Sequence, residues 1–298
     1  MAQPYDLAFV GHYTKDTIVS DAGRRIVDGG AFNYGAHVAA AMGLRAAAVT
    51  RLAVEDWHLV EQLERLGVTV FARTSPQSTC LRLEYPSSNL DERVIYVTST
   101  AGAFTPGEVT AVDARAFVVG ASMRGEVGLD LIEAVAQKGA RLAVDVQGFV
   151  RTNRQGTLHY APWPQKEELL ALVDILKTDA VEAEMLTGER DIRTAARMLA
   201  ELGPGEIVLT HRHGLLVYAK GQYHETGFYP DCLVGRSGRG DTCLAAYTAR
   251  RLDAPPAEAT IWAAAMTSLK LEAEGPFRRS IDEVEELIRQ RYSPGTAV

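Results

Sequence analysis

The chain has 298 residues, 47% hydrophobic and 23% charged, with a formal net charge of −7, enough to bury the core of one large domain or two small ones. Its balance of 31 Lys and Arg against 38 Asp and Glu argues against nucleic acid as the main partner, because phosphate backbones are bound by basic surfaces. Cys80, Cys232 and Cys243 are too few and too far apart for a disulfide framework or a close-spaced zinc site, and no run approaches the ~18 apolar residues of a membrane span, so no membrane partner is expected.

The opening MAQPYDLAFVGHY has neither the basic n-region nor the apolar run of an export signal, which points to the cytoplasm. Asp6 to Gly11 reads as a first core strand. Ile18 to Asp28 contains two strand-like pieces around Asp-Ala-Gly and predicts a hairpin. The pair Gly29-Gly30 then opens an Ala-rich helix from about Ala31 to Met42 that stops at Gly43. Strand and helix signals alternate through AAAVTRL, DWHLVEQLERLG and VTVFAR. Thr79 to Ser99 breaks the rhythm with two antiparallel strands around a polar turn.

Alternation resumes with AFVVGAS, a helix at GLDLIEAVAQKG, RLAVDV, a helix from about Gln165, DILKTD, helices from about Val181 and over Asp191 to Leu202, and EIVLT. LLVYAK and QYHET predict a late hairpin before three helices near Asp241 to Leu252, Pro256 to Ala273 and Ile281 to Tyr292. This pattern predicts an α/β fold: a three-layer, doubly wound, mostly parallel sheet with helices on both faces. The insertions at about 12–28 and 79–99 read as a small β-sheet projecting from one α/β domain spanning 1–298. Such sheets bind ligands at the carboxyl ends of their strands, so the loops there should carry function.

The most informative segment is Gly235-Arg236-Ser237-Gly238-Arg239-Gly240-Asp241-Thr242, leading into the helix CLAAYTARRL. Glycines at 238 and 240 let the backbone turn so that several N–H groups point one way, and the helix adds the positive end of its dipole. That pocket suits an anion. A carboxylate in it suits a reaction that needs a proton acceptor beside a phosphoryl group: Asp241 would take the proton of an attacking alcohol. The plainer alternative makes Asp241 an N-cap and the glycines turn residues.

Gly11 and Asp16, then Gly29-Gly30-Ala31-Phe32-Asn33, then Asp179-Ala180-Val181-Glu182 with Leu186-Thr187-Gly188, then the turn from Gly238 to Asp241, follow one another in the order and approximate spacing of the ribokinase-like (PfkB) carbohydrate kinases. The chain resembles that family over nearly its whole length, and the two insertions resemble its β-lid. The resemblance implies an ATP-dependent kinase acting on a hydroxyl of a small sugar, polyol, inositol or nucleoside. It implies Asp241 as the base, Gly238, Arg239 and Gly240 as the anion hole, and Asp16, Gly30 and Asn33 as the grip on the substrate, where the alternatives are a turn residue for Asp16 and an early-helix cap for Asn33. Asp179 and Glu182 match a motif that helps hold Mg²⁺ through water, with Asp in place of the usual Asn; otherwise both acids simply favour a solvated helix N-terminus. Thr210 to Gly214 occupies the nucleotide region, giving Thr210 and Gly214 as nucleotide contacts, without the Gly usual soon after the Thr. His211 and His213 there could pair on a metal.

Gly235 stands where the family often has an Asp that helps bind a monovalent cation, so turnover should not depend strongly on potassium. Arg239 either reaches a phosphate oxygen or points to solvent. The run Asp145 to Arg151 resembles a branch that includes inositol and sugar-acid kinases, making Gln147 and Arg151 contacts to substrate or phosphate, or braces of their loop. Family members often pair through the lid, since an exposed edge strand invites partners, so the resemblance allows either a homodimer of that kind or a monomer. No P-loop and no dinucleotide fingerprint occur. Readings from other classes are a non-catalytic sugar- or nucleotide-binding regulator that keeps the fold, and a methyltransferase.

Overall fold

The computed structural model describes residues 3–21, 23–85 and 93–292. The strands are β1 (Tyr5–Val10), β2 (Thr14–Ser20), β3 (Gly23–Gly29), β4 (Ala46–Leu52), β5 (Thr69–Thr74), β6 (Thr79–Glu84), β7 (Val94–Ser99), β8 (Ala114–Val119), β9 (Arg141–Asp145), β10 (Arg151–Arg154), β11 (Thr157–Tyr160), β12 (Ile175–Asp179), β13 (Glu206–Thr210), β14 (Gly214–Ala219) and β15 (Gln222–Gly227). The helices are α1 (Ala31–Ala41), α2 (His58–Arg65), α3 (Leu129–Ala136), α4 (Gln147–Val150), α5 (Lys166–Leu170), α6 (Ala180–Thr187), α7 (Ile192–Ala200), α8 (Arg239–Arg250), α9 (Pro256–Leu271) and α10 (Ile281–Arg291).

Nine strands form the central sheet in the order β15-β14-β13-β12-β9-β8-β1-β4-β5. Pairing is parallel from β5 through β13, and the late hairpin β14–β15 closes one edge antiparallel. Inner strands such as Ala46–Leu52 and Glu206–Thr210 read as near-continuous apolar runs because both their faces are covered. One core, with Phe9, Phe32, Tyr247 and Met266, lies between the sheet and α1, α8 and α9. The other, with Phe117, Leu131, Leu170 and Leu199, lies under α3, α5 and α7. From β1 the chain winds outward to β4 on one side, and from β8 it winds toward β9 on the other. The carboxyl ends of β1 and β8 therefore flank the point where strand order reverses, which is where such sheets bind ligands. At that point a Cβ on Gly11 would lie 2.4 Å from the Gly120 carbonyl oxygen, so the two strand ends meet backbone to backbone.

A second sheet has the order β10-β11-β7-β6-β2-β3. Strands from the two predicted insertions form four of its six members, and β2 and β6 pair parallel. The polar turn predicted between β6 and β7 lies largely outside the described residues. The sequence reading places no hairpin at 151–160, and the structure corrects this: β10 and β11 pair antiparallel and join β7 through Thr157 and Tyr96. Their turn is Gln155-Gly156, both at positive φ (50° and 84°), a weaker form of the Asn-Gly signal. Among the described residues no helix is long and apolar enough to cross a membrane.

Candidate active site

The glycine-rich segment ends in Gly238, which caps α8 from the left-handed region at φ 76° and makes no side-chain cap bond. Asp241 is thus not the N-cap; it sits in the first turn of α8, its carboxylate aimed elsewhere. A Cβ on Gly120, just past β8, would come 4.0 Å from its Oδ1, which places that carboxylate at the reversal point of the sheet. Within α8 the N–H groups of Gly240 and Asp241 have no intrahelical acceptor and remain for a ligand, at the positive end of the helix dipole. Burial, and then the charge of Asp145, push the Asp241 carboxyl up to about 6, against the pull of Lys177, Arg151 and Lys270. A carboxyl so placed is ionised at neutral pH and basic enough to accept a proton.

Lys177 on β12 and Asp145 at the end of β9 face each other across adjacent strands, Nζ to Oδ2 3.1 Å, with side chains 5% and 4% exposed. Burial alone would lower the Lys177 pKa, but Asp145, Glu182 and Asp179 outweigh it and raise it. A Cβ at Gly240 would lie 2.6 Å from the Lys177 ammonium, so this glycine lets the turn before α8 rest directly on a buried cation. Lys177 does not stand out in the sequence as a site residue, because ILKTD reads as the end of an ordinary core strand, and Asp145 enters there only as the first residue of the run to Arg151.

Asp179 caps α6 and forms a reciprocal capping box with Glu182: its Oδ1 accepts from the Glu182 N–H at 2.8 Å, and Glu182 Oε2 accepts from the Asp179 N–H at 2.9 Å. Glu182 Oε1 is buried without a hydrogen-bond partner, and burial with the neighbouring carboxylates raises the Glu182 pKa. One oxygen of Glu182 is thus spent on the helix start while the other stays available.

Asp145, Lys177, Asp179 and Asp241, though not Glu182, line one cavity of about 740 Å³ with Gln147, Arg151, Thr210, His211, Arg212, Arg236, Arg239, and Arg93 and His159 from the second sheet's side. The Gln147 N–H donates to Asp145 Oδ1 at 2.9 Å, and the Arg151 guanidinium lies 5.7 Å from the Tyr160 ring centre. Gly214 is not on the cavity wall. A Cβ there would meet the Thr226 carbonyl oxygen at 2.1 Å, so its missing side chain serves the β14–β15 pairing. His211 lines the cavity and His213 does not, and among the described residues no group of three or more His, Cys, Asp or Glu could hold a metal ion.

Asp16 lies on β2 and Asn33 on α1, and neither is on the wall of that cavity. Burial lifts the Asp16 carboxyl to about 7 despite a hydrogen bond from Thr14 and the charge of Arg93, and Asp241 adds to the rise. Asp16 Oδ1 and Asn33 Oδ1 are both buried without partners, while Asn33 Nδ2 donates to the Asp28 carbonyl at 3.2 Å. Two buried acceptors without partners are what donor hydroxyls of a ligand would satisfy. Gly30, at φ 99°, leaves no room for a side chain: a Cβ would sit 2.2 Å from the His12 carbonyl oxygen. Sequence reasoning also passes over Lys270, buried in the Ala-rich helix α9, whose Nζ donates to the Gly235 carbonyl at 2.7 Å.

The sequence model of the pfkB family of carbohydrate kinases matches residues 14–280. The chain belongs to the pfkB family. A cytidine kinase of Thermococcus kodakarensis is 27% identical over 254 residues, covering 82% of this chain and 87% of that protein. A pyrophosphate-dependent kinase of the ribokinase family, solved with sulfate, superposes with a TM-score of 0.88 at 34% identity over 94% of this chain and 99% of its own. A pyrophosphate-dependent myo-inositol-1 kinase converted into a myo-inositol-3 kinase gives 0.86 at 33%, over 96% and 100%. Ribokinase of Arabidopsis thaliana with ribose and ATP gives 0.76 at 19% over 96% and 99%, and shares the fold. This pfkB kinase thus has the ribokinase-like fold and is a sugar or nucleoside kinase, a phosphotransferase with an alcohol as acceptor. Membership sets aside the methyltransferase.

Proposed function

We propose that this pfkB kinase transfers a phosphoryl group to a hydroxyl of a small cyclic polyol, an inositol or a sugar, with Asp241 as the base and inorganic pyrophosphate as the donor. The observation that carries the reading is the cavity wall itself. Asp241 lines it together with Arg151, Arg212, Arg236, Arg239 and Lys177, and the unpartnered acceptor Asp16 Oδ1 belongs to a carboxylate close enough to Asp241 to feel its charge. A wall so rich in guanidinium groups fits a compact polyanion bound through all its oxygens, and guanidinium forks suit phosphate. The pyrophosphate-dependent relatives at 33–34% identity support the same donor. ATP is the second reading, favoured by Val181, which is 61% exposed on the cavity wall and offers an apolar surface to a base.

In the mechanism, Asp16 and Asn33 accept from substrate hydroxyls and hold one of them against Asp241. Asp241 withdraws its proton as the oxygen attacks phosphorus in line, and the N–H groups around Gly238, Arg239 and Gly240 take up charge on the transferring oxygens. Lys177 and the arginines hold the leaving phosphate, while the lid excludes water that would otherwise compete as acceptor. Mg²⁺ fits at Asp179 and Glu182 through its water shell, since Glu182 Oε1 is a buried acceptor with nothing bonded to it. When bound there it would neutralise donor charge.

The test incubates the enzyme and Mg²⁺ with pyrophosphate or ATP and a panel of inositols, sugars and nucleosides, following phosphate esters by phosphorus NMR. The expected result is ester formation from pyrophosphate with a cyclic polyol, lowered ~10²-fold or more in Asp241→Asn while donor binding is kept. Turnover with ATP alone would overturn the donor, and an active Asp241→Asn would overturn the base.

A further inference from the structure

We infer that Lys270 is a positioning residue for phosphoryl transfer: its ammonium is a resident cation beneath the phosphate turn, holding the turn in place and supporting the negative charge of Asp241. The inference deepens the proposed function and rests on Asp241 being the base.

Lys270 lies one residue before the end of α9 and is 2% exposed, the one charged side chain among the buried residues of that helix. A buried ammonium is retained only where something holds it. Here its Nζ donates to the Gly235 carbonyl at 2.7 Å and lies 5.7 Å from the Tyr34 ring centre, on the favourable side of a cation–π contact. Two further bonds fasten the same stretch, from the Val234 and Gly235 N–H groups to the Leu271 carbonyl at 2.9 and 3.0 Å. The start of the phosphate turn is therefore tied to the end of α9 through both its donors and its acceptor. A side chain at 235 is excluded, because a Cβ there would meet the Ala273 carbonyl oxygen at 2.3 Å.

The groups that face Lys270 come from four directions. Asp241 is on α8, Tyr34 on α1, and Glu274 follows α9, itself paired with Arg25 of β3; Arg236 shares the small cavity lined by Lys270, Arg25 and Glu274. Burial lowers the Lys270 pKa to about 8, while Asp241 and Glu274 pull the other way. The ammonium is therefore charged at neutral pH and loses its proton as pH rises through 8. The tie to Gly235 as a charged donor, and the field that supports the Asp241 carboxylate, weaken together above that point.

The experiment measures kcat and KM from pH 5 to 10 for the wild type, Lys270→Met, Lys270→Arg and Lys270→Ala, using the donor and acceptor found active. The expected wild-type profile falls on the alkaline side near pH 8. Lys270→Met should lose about tenfold or more in kcat with acceptor KM within about threefold, and lose that alkaline fall. Lys270→Ala should regain turnover on adding methylammonium, and not tetramethylammonium, which is too large for the space. Should Lys270→Met fail to fold, Lys270→Arg carries the test, since a guanidinium does not titrate in this range and must move the alkaline fall above pH 10. An alkaline fall unchanged in either variant, or full kcat in Lys270→Met, overturns the inference. Asp241→Asn tests the base separately: an active Asp241→Asn defeats the underlying reading, whereas an inactive one with unaltered Lys270 variants defeats only this inference.

Discussion

Gly238→Ala puts the phosphate turn to its severest test. The added methyl would stand 2.0, 2.2 and 2.4 Å from three carbons of the Tyr34 ring, which is itself 2% exposed and has no free space to retreat into. Ordinary contact needs about 3.5 Å or more, so ring or turn must give by over an ångström. The backbone adds to this, since φ of 76° is a left-handed conformation that costs an L-residue on the order of 1–2 kcal/mol. With overpacking at about 1–3 kcal/mol, the variant should lose roughly 2–5 kcal/mol of stability. Activity should suffer more than that figure suggests, because a misplacement of ~1 Å in the donors that meet the transferring phosphate can cost ~10²-fold in turnover. The assay pairs a thermal melt with kcat in the phosphate-ester assay. Adding Tyr34→Leu should restore part of the stability by removing the clash, leaving the φ cost in place. If Gly238→Ala alone keeps kcat within twofold of the wild type, the turn does not position the transition state and the account of the site is wrong.

Asp241→Asn should raise the melting temperature by several degrees at pH 7. The folded carboxyl is held near 6, above its ordinary 3.8, so the native state binds the proton more tightly than the unfolded chain. Its ionisation therefore lowers stability as pH climbs from about 4 to about 6, a loss of ~2–3 kcal/mol that persists at neutral pH and that Asn removes; equal melts for the two proteins at pH 7 would contradict this. Asp16→Ala should raise the acceptor KM by ~10-fold or more and leave the donor KM nearly unchanged, and equal effects on both would remove Asp16 from the acceptor site. Lys177→Met strands Asp145 as a buried charge and should cost about 3–5 kcal/mol in a denaturant melt. Adding Asp145→Leu should recover most of that stability and none of the activity; recovery of activity would show that the pair is only structural.

Much of the fold is legible in residue order, because parallel strands covered on both faces must be apolar and must be joined by helices, and AAAVTRL, RLAVDV and EIVLT carry that signature in one dimension. The glycine turn before α8 is legible for a similar local reason: left-handed backbone and close approach both call for glycine, and a carboxylate beside them is conspicuous. The hairpin at 151–160 escapes because its strands are polar and its Gln-Gly turn is weakly marked. At Asp179 and Glu182 the structure shows a capping box at the helix start, but Glu182 is buried, not on the solvated terminus that the plainer reading expects.

Sequence alone determined the alternation of strands and helices, the family resemblance and the candidate base, all of which follow from local conformational preference and short spacing. Tertiary structure decided which distant charges meet. Lys177 reaches Asp145 only because β9 and β12 are neighbours in the sheet, and Lys270 reaches Gly235 only because the end of α9 packs against the phosphate turn. Segments 32 and 35 residues apart acquire a shared energy only when folding removes the water between them, and no pattern along the chain records that event.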